Sequence, residues 1–268
     1  MKYLIGLDID GTIVDHDGKL DAETVTHIKR WTNVGHTIVL VTGRPFRNTK
    51  HIYEELGLTT PVVNHSGAQV HHPKDPSFPP LDHSVPAHYL HQIIEHAGDG
   101  ILNGYAEVKD RVYLYRQENK LLEWIQTTSD QEVFIGTLQV GDDFTGAVLF
   151  VDPDYTNTVL DFVKQIRTVS ARHWRTLRRQ EYDVLEIYRK EISKATALEH
   201  IRSYYQIDPA NTIAIGDGTN DIEMLQYAAY SAAMDGAFPE VVEAAKDTTD
   251  SNVNLGAIKY IKKVLGEA

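Results

Sequence analysis

The chain has 268 residues, of which 42% are hydrophobic, and its formal net charge at pH 7 is −12. That length allows one large core or two modest ones, and we expect two domains. The acidic balance argues against a nucleic-acid or anionic-membrane partner, and the lack of cysteine excludes disulfides, thiolate catalysis and cysteine-based metal sites.

An apolar run at the start, Tyr3 to Leu7, has the length and composition of a buried strand in a parallel sheet. Asp8 then falls at the carboxyl end of that strand. If the backbone stays extended for two more residues, Asp8 and Asp10 project from the same side, because strand side chains alternate. Two carboxylates in one small site repel each other unless a cation offsets them, and Mg²⁺ suits such a site. A bare Asp-x-Asp pair also occurs in solvated turns.

A second strand is predicted at residues 37–41, after a helix that Asp21 caps and Gly35 ends. A strand, a helix and a strand make a βαβ unit, whose parallel strands bring their carboxyl ends to one edge of the sheet. Thr42 and Gly43 follow the second strand directly and therefore belong to that edge.

A third strand is predicted at residues 61–63, followed by the loop 64–70. The segment 73–80 contains four prolines, which is typical of a loop or linker. We place a domain boundary just after it.

Between residues 82 and 186 the pattern changes to alternating helix-like and strand-like stretches, which predicts an α+β domain. The predicted helices span residues 87–96, 118–127 and 155–167, and the predicted strands span 101–105, 111–115, 147–151 and 184–188. His173, Trp174 and Arg175 are candidates to line a pocket. The sequence does not distinguish this role from an ordinary core or surface position.

The last part of the chain carries a lysine at a helix start and a second acidic turn. Ser193 fits an N-cap, which places Lys194 in the first helical turn, where only a bound anion would favour it. Residues 212–216 form an apolar strand that leads into a glycine-containing turn with Asp217 and Asp221. A final helix at about 255–265 closes the core.

Four of these motifs, in this order, resemble the signatures of the haloacid dehalogenase superfamily of aspartate-nucleophile phosphatases, in its Cof-type branch. The motifs are Asp8-x-Asp10-Gly11-Thr12, Thr42-Gly43, Lys194 and Asp217-x-x-Asn220-Asp221. The resemblance covers essentially the whole chain, although it is specific only in the core. The branch usually reads Asn-Gly-Ala after the third strand, whereas this chain has Ser66 at the place of that asparagine.

The resemblance implies an α/β fold with a Rossmann-like core and a parallel sheet, formed by residues 1–81 and 187–268. Residues 82–186 would be an inserted α+β cap of the C2 type. In this family such a cap sits over the active site and supplies the contacts that choose the substrate.

The resemblance also implies roles for individual residues. Asp8 would be the nucleophile, and Asp10 the general acid and base. The phosphate-binding residues would be Thr42, Gly43, Lys194 and Asn220. The Mg²⁺ site would consist of Asp8, Asp10, Asp217 and Asp221, with Asp10 contributing its backbone carbonyl and Asp221 supporting the metal's shell.

We therefore expect a Mg²⁺-dependent phosphatase that hydrolyses small phosphorylated metabolites, such as sugar phosphates, through an aspartyl-phosphate intermediate. A phosphomutase or phosphotransferase with the same core is an alternative, and so is a non-catalytic metabolite-binding regulator. We expect a monomer or homodimer with no nucleic-acid or membrane partner. No apolar run suits a bilayer span or a cleavable signal, which favours a cytoplasmic location.

Overall fold

The computed structural model describes residues 1–108, 111–118, 125, 133–136, 138, 140–174 and 181–267. They form two compact units, one of Met1–Leu81 with Ser193–Ala268 and the other of Asp82–Ile192. Most of the helix predicted at 118–127, and Arg175, lie outside the described residues. Within the described ranges, no helix is both long enough and apolar enough to cross a membrane.

Helices and strands alternate along most of the chain. Up to the inserted unit they are β1 (Leu4–Leu7), α1 (Ala22–Asn33), β2 (Thr37–Leu40), α2 (Phe46–Glu55), β3 (Val62–Asn64), β4 (Gln69–His71) and β5 (Leu81–Asp82). The inserted unit continues with α3 (Ala87–Ala97), β6 (Ile101–Val108), β7 (Arg111–Leu114), β8 (Val133–Ile135), β9 (Gly146–Val151), α4 (Thr156–Gln165), β10 (Val169–Trp174) and β11 (Asp183–Arg189). The chain ends with α5 (Lys194–Tyr204), β12 (Thr212–Gly216), α6 (Ile222–Tyr227), β13 (Tyr230–Ala233), α7 (Pro239–Ala244), β14 (Asp247–Thr248) and α8 (Gly256–Leu265).

The first unit is built on a parallel sheet with the strand order β14-β13-β12-β1-β2. Side chains of β1 alternate between two apolar clusters: Ile5 belongs to the cluster that contains Trp31 of α1, and Leu4 belongs to the cluster that contains Ile201 of α5. Helices therefore cover both faces of the sheet, as parallel sheets require. The predicted α/β core with a parallel sheet is confirmed.

β3 lies beside the end of β2, because Val41 and Val63 form a parallel bridge just past that strand. β3 also pairs with β4 in an antiparallel fashion, within a small sheet that includes β5. This position brings the loop after β3 to the same sheet edge as the loops after β1, β2 and β12.

The second unit has a sheet with the order β10-β11-β9-β6-β7-β8, which is antiparallel except for the pair β7–β8. Residues of α3 and α4, such as Leu90 and Val163, share an apolar cluster with Leu149 and Ile187 of the sheet. The unit is therefore an α+β domain. β11 runs through Arg189, so the inserted unit ends at Ile192, whereas the sequence placed its end at residue 186.

Candidate active site

Asp8 lies directly after the last residue of the central strand β1, as the apolar run predicted. Its backbone N–H donates to the Ile215 carbonyl of the neighbouring strand at 3.1 Å, which continues the parallel pairing by one residue. The residue is only 6% exposed. A single buried carboxylate is thus held at the carboxyl edge of the sheet, where open α/β sheets bind ligands.

The backbone turns away before Asp10. The carbonyl of Ile9 accepts hydrogen bonds from the N–H groups of Thr12, Ile13 and Val14, and Gly11 has a φ of +70°, which residues with a Cβ resist. The strand therefore does not extend to Asp10. The prediction that Asp8 and Asp10 project from the same side of an extended strand required such an extension, so it is wrong.

The Asp10 carboxylate is exposed and lies against the Arg44 guanidinium. Arg44 Nε donates to Asp10 Oδ2 at 2.8 Å, and a terminal nitrogen of the same group donates to Oδ1 at 2.5 Å. This two-point geometry is the one that matches guanidinium to carboxylate best. Asp10 is thus oriented by a residue that follows the Thr42-Gly43 motif.

Lys194 reaches Asp8 because α5 packs tightly on β1. A Cβ on Gly6 would lie 2.8 Å from a methyl carbon of Leu198, so the glycine leaves the space that the Leu198 side chain occupies. Lys194 lies one helical turn before Leu198 and therefore on the same face of α5. Its ammonium donates to Asp8 Oδ1 and to Asp221 Oδ1, each at 2.5 Å, and is fully buried.

The N-terminus of α5 forms as predicted. The Ser193 hydroxyl accepts from the backbone N–H of Thr196, and the Thr196 hydroxyl accepts from the N–H of Ser193. This capping box fixes the first turn, which carries Lys194.

The turn after β12 is closed by Asp221. Its Oδ2 accepts the backbone N–H groups of Asp217 at 3.0 Å and Gly218 at 2.9 Å, while its Oδ1 accepts from Lys194. The Asp217 carboxylate, in contrast, receives no hydrogen bond from any other described residue. A Cβ on Gly11 would lie 2.2 Å from Asp217 Oδ2, so the glycine leaves space for this carboxylate.

Negative charge exceeds positive charge in this buried cluster. Carboxylate oxygens of Asp8, Asp217 and Asp221 lie within 4.8 Å of one another, and the Lys194 ammonium pairs with Asp8 and Asp221. Burial raises the pKa of Asp8 well above its usual range, Lys194 opposes that rise, and the two other carboxylates add to it. Burial and the Asp221 carboxylate raise the pKa of Asp217 to about 6. A set of crowded oxygen ligands with uncompensated charge fits a hard divalent cation such as Mg²⁺.

Lys194 stays charged in this setting. Burial acts to lower its pKa, but the ion pairs with Asp221 and Asp8 outweigh burial and raise the pKa above its usual range. The ammonium therefore remains a fixed positive charge beside Asp8.

The other predicted phosphate-binding residues lie on neighbouring loops of the same edge. The Thr42 hydroxyl accepts the Arg44 N–H at 3.1 Å, which leaves its own hydrogen available for donation. Asn220 Nδ2 donates to Ser66 Oγ at 3.3 Å. A Cβ on Gly43 would lie 3.4 Å from Ser66 Oγ and 3.6 Å from Asn220 Nδ2, so these three residues adjoin.

The sequence did not assign roles to three residues of this region: Thr12, Arg44 and Ser66. The Thr12 hydroxyl donates to Asp8 Oδ2 at 3.4 Å, and Arg44 holds Asp10. Thr12 lies within the first motif and Arg44 directly follows the second. This adjacency is the one feature of the sequence that could have marked them as residues of the site. Their actual partners depend on how the loops fold.

Comparison with known proteins gives a family match over nearly the whole chain. The haloacid dehalogenase-like hydrolase family matches residues 5–261. The 5-amino-6-(5-phospho-D-ribitylamino)uracil phosphatase YitU of Bacillus subtilis is 30% identical over 266 residues, which cover 97% of each chain. A second Bacillus subtilis protein with the same activity in its name, YwtE, is 22% identical over 283 residues and also covers 97% of each chain.

Solved structures resemble the chain in fold. A phosphatase of the haloalkanoate enzyme superfamily from Bacteroides thetaiotaomicron superposes with a TM-score of 0.80 at 23% identity, covering 99% of this chain and 96% of that one. A haloacid dehalogenase-like hydrolase from Bacillus subtilis gives a TM-score of 0.80 at 19% identity, covering 97% and 99%.

Proposed function

The chain belongs to the haloacid dehalogenase-like hydrolases, and we propose that it is a Mg²⁺-dependent enzyme that hydrolyses small phosphorylated metabolites through an aspartyl-phosphate on Asp8. Relatives such as YitU and YwtE have a phosphatase activity in their names. The observation that carries the proposal is the buried Asp8 carboxylate at the sheet edge, fixed by the Lys194 ammonium at 2.5 Å. Such a carboxylate is held in one orientation for attack, and its burial keeps water from taking its place as the nucleophile.

In the first step an Asp8 oxygen attacks phosphorus, and the bond from phosphorus to the ester oxygen breaks. Asp10, in its protonated form, gives a proton to that leaving oxygen. In the second step Asp10, now ionised, takes a proton from water as the water attacks phosphorus, and the bond to Asp8 breaks. Inorganic phosphate leaves and Asp8 is restored. Splitting one displacement into two lowers the barrier of each.

The phosphoryl oxygens carry the charge that must be offset during both steps. We assign this task to the Lys194 ammonium, the Thr42 hydroxyl, the backbone at Gly43 and the Asn220 amide. Asp8, Asp217 and the Asp10 carbonyl would hold Mg²⁺, with Asp221 supporting them. When bound, the cation neutralises the clustered carboxylates and the phosphoryl group.

The substrate class follows from the relatives only as a proposal. Three relatives are named for a compound whose phosphate sits on a ribityl chain, 5-amino-6-(5-phospho-D-ribitylamino)uracil. A phosphate on a flexible polyol or sugar is the common chemistry of that compound and of sugar phosphates. We therefore propose phosphomonoesters of sugars and sugar alcohols as the substrate class.

The test is release of inorganic phosphate from a panel of such esters and from an aryl phosphate. Mg²⁺ should support turnover, whereas Ca²⁺, which prefers more ligands at longer distances, should suppress it. Asp8→Asn should reduce turnover by about a thousandfold or more. Asp15→Asn is the matched control, because this exposed carboxylate on the same loop accepts only backbone N–H groups.

Full activity in chelator, or equal rates with both ions, would contradict the metal role. Transfer of phosphate to a second hydroxyl of the sugar, with little release to water, would indicate a mutase.

A further inference from the structure

The loop after β3 has an unusual backbone. His65 and Ser66 have φ angles of 48° and 52°, and Gly67 follows with a φ of 108°. Only glycine adopts this region freely, and consecutive residues with a Cβ persist there when surrounding contacts hold them. The loop has such contacts on several sides.

Ser66 joins two of the loops that carry phosphate-binding residues. Its backbone N–H donates to the Thr42 carbonyl at 3.0 Å, and its hydroxyl oxygen accepts from Asn220 Nδ2 at 3.3 Å. Thr42 follows β2 and Asn220 follows β12, and these are the two strands that flank β1 and therefore Asp8. One serine thus connects the loops on both sides of the nucleophile.

The contacts leave little freedom for Ser66. The residue is 6% exposed, and Gly43 adjoins its hydroxyl, since a Cβ there would lie 3.4 Å from Ser66 Oγ. Gly67 is pressed against the start of α5, where its Cβ would lie 2.3 Å from the Ser193 carbonyl oxygen. The loop is therefore wedged between the Thr42 loop and the residue that precedes Lys194.

The hydrogen bond from Asn220 to Ser66 fixes which atom of the Asn220 amide faces the Thr42-Gly43 loop. A primary amide has two N–H groups and would otherwise rotate between orientations that exchange its oxygen and nitrogen. With one N–H held by Ser66 Oγ, the nitrogen faces the Thr42-Gly43 loop and its second N–H remains free to donate. An anion bound beside Thr42 and Gly43 would then meet a donor rather than the repelling amide oxygen.

We propose that Ser66 is a positioning residue for phosphate binding, which orients the Asn220 amide and ties its loop to the Thr42 loop. The proposal rests on the proposed function, because it assumes that Thr42, Gly43 and Asn220 bind phosphate. It assigns a task to the position where the chain differs from the usual Asn-Gly-Ala of its branch.

The test is a double-mutant cycle on the full chain, with the dissociation constant for inorganic phosphate in Mg²⁺ measured by calorimetry. Ser66→Ala should weaken binding about three- to tenfold, the range that one lost hydrogen bond gives. Asn220→Ala should weaken binding by at least as much. The double variant should match Asn220→Ala, because the Ser66 hydroxyl, which is the group that Ser66→Ala removes, acts only through that amide.

Two further variants separate the hydroxyl from the backbone. Ser66→Gly removes the hydroxyl but relieves the left-handed φ, and it should weaken phosphate binding as much as Ser66→Ala. Ser231→Ala removes another buried serine hydroxyl that accepts one N–H, from Lys246 at 3.1 Å, in the middle of β13. It should leave phosphate binding unchanged. Thermal unfolding of each variant confirms that it is folded at the assay temperature.

The outcomes distinguish this proposal from the one it rests on. Wild-type protein that binds no phosphate in Mg²⁺ would overturn the proposed function, and the role of Ser66 with it. Wild-type binding with an unaltered constant in Ser66→Ala would overturn the role of Ser66 alone. The role of Ser66 would also be overturned if Ser66→Ala weakened phosphate binding by the same factor in the Asn220→Ala background as in wild type. It would be overturned too if Ser66→Gly bound phosphate as tightly as wild type.

Discussion

The buried cluster of Asp8, Asp217, Asp221 and Lys194 and the pair of Asp10 and Arg44 lie in different physical surroundings, although Asp8 and Asp10 are only two residues apart. In the pair, the carboxylate is exposed and the guanidinium is partly buried. The Lys194 side chain is 0% exposed, whereas the Asp10 side chain is 62% exposed. Water screens the pair, so its net effect on stability is about 0–1 kcal/mol. Water screens the cluster much less, so its unbalanced charges interact more strongly. The contrast teaches that the cluster governs stability and the pair governs only the orientation of Asp10.

The largest effect on stability should come from Lys194→Met. The change removes the cation of the buried cluster and should lower the free energy of unfolding of metal-free protein at pH 7 by about 3–5 kcal/mol. Urea unfolding measures it. Lys259→Met is the control, because Lys259 pairs with Asp250 in solvent, and it should cost about 1 kcal/mol or less. Similar losses in the two variants would remove the contrast.

The next effect is a loss of stability as the pH rises, which is the opposite of what a carboxylate with a lowered pKa gives. The pKa of Asp217 is raised from 3.8 to about 6, so in metal-free protein the folded state binds this proton more tightly than the unfolded state. The contribution of protonated Asp217 to the free energy of unfolding is therefore fully present below about pH 4. It is lost as the pH rises through about 6, and the loss amounts to about 3 kcal/mol.

Asp217→Asn isolates this contribution. Relative to wild type, the variant should gain free energy of unfolding between pH 4 and pH 7, as urea titrations at each pH would show. A difference that stays constant over this range would contradict the raised pKa.

A smaller effect, opposite in sign to that of Lys194→Met, is expected for Asp8→Asn. The variant removes one of the crowded carboxylates while Asp221 still pairs with Lys194, so metal-free protein at pH 7 should become more stable by about 1–2 kcal/mol. Thermal and urea unfolding measure this gain, which should accompany the loss of turnover. A destabilisation as large as that of Lys194→Met would show that the cluster is not over-charged.

The smallest effect on stability is expected for the pair of Asp10 and Arg44. Arg44→Gln and Asp10→Asn should each change the free energy of unfolding by about 1 kcal/mol or less. Asp10→Asn should nevertheless lower kcat/KM for an alkyl phosphate more than for an aryl phosphate, whose departure needs little proton assistance. An equal loss on both substrates would argue against Asp10 as the leaving-group acid.

The sequence predicted those parts of the core that local patterns control. β1, β2 and β12 are continuous apolar runs because parallel strands are buried on both faces, and polar loops follow them directly. Ser193 and Thr196 form a capping box within four residues. Such signals require no knowledge of distant residues, so the parallel α/β fold could be predicted.

The sequence did not predict features that depend on distant residues or weak patterns. The Asp10–Arg44 pair spans 34 residues, and it exists because the chain turns after Ile9. β10 is a half-exposed strand with polar residues, and β13 consists largely of small ones. Neither has the apolar pattern that marks a strand, and both are held by their neighbours in the sheets.

The ion pair of Lys194 with Asp8 joins residues 186 positions apart, and this distance has a consequence for synthesis on the ribosome. β1 is made before both of its neighbours in the sheet, and only β2 follows it early, because β12 comes after the inserted unit. One edge of an apolar strand therefore stays unpaired until most of the chain has been made, which is a risk of association for nascent chains. Asp8 is therefore synthesised long before Lys194, which completes its environment.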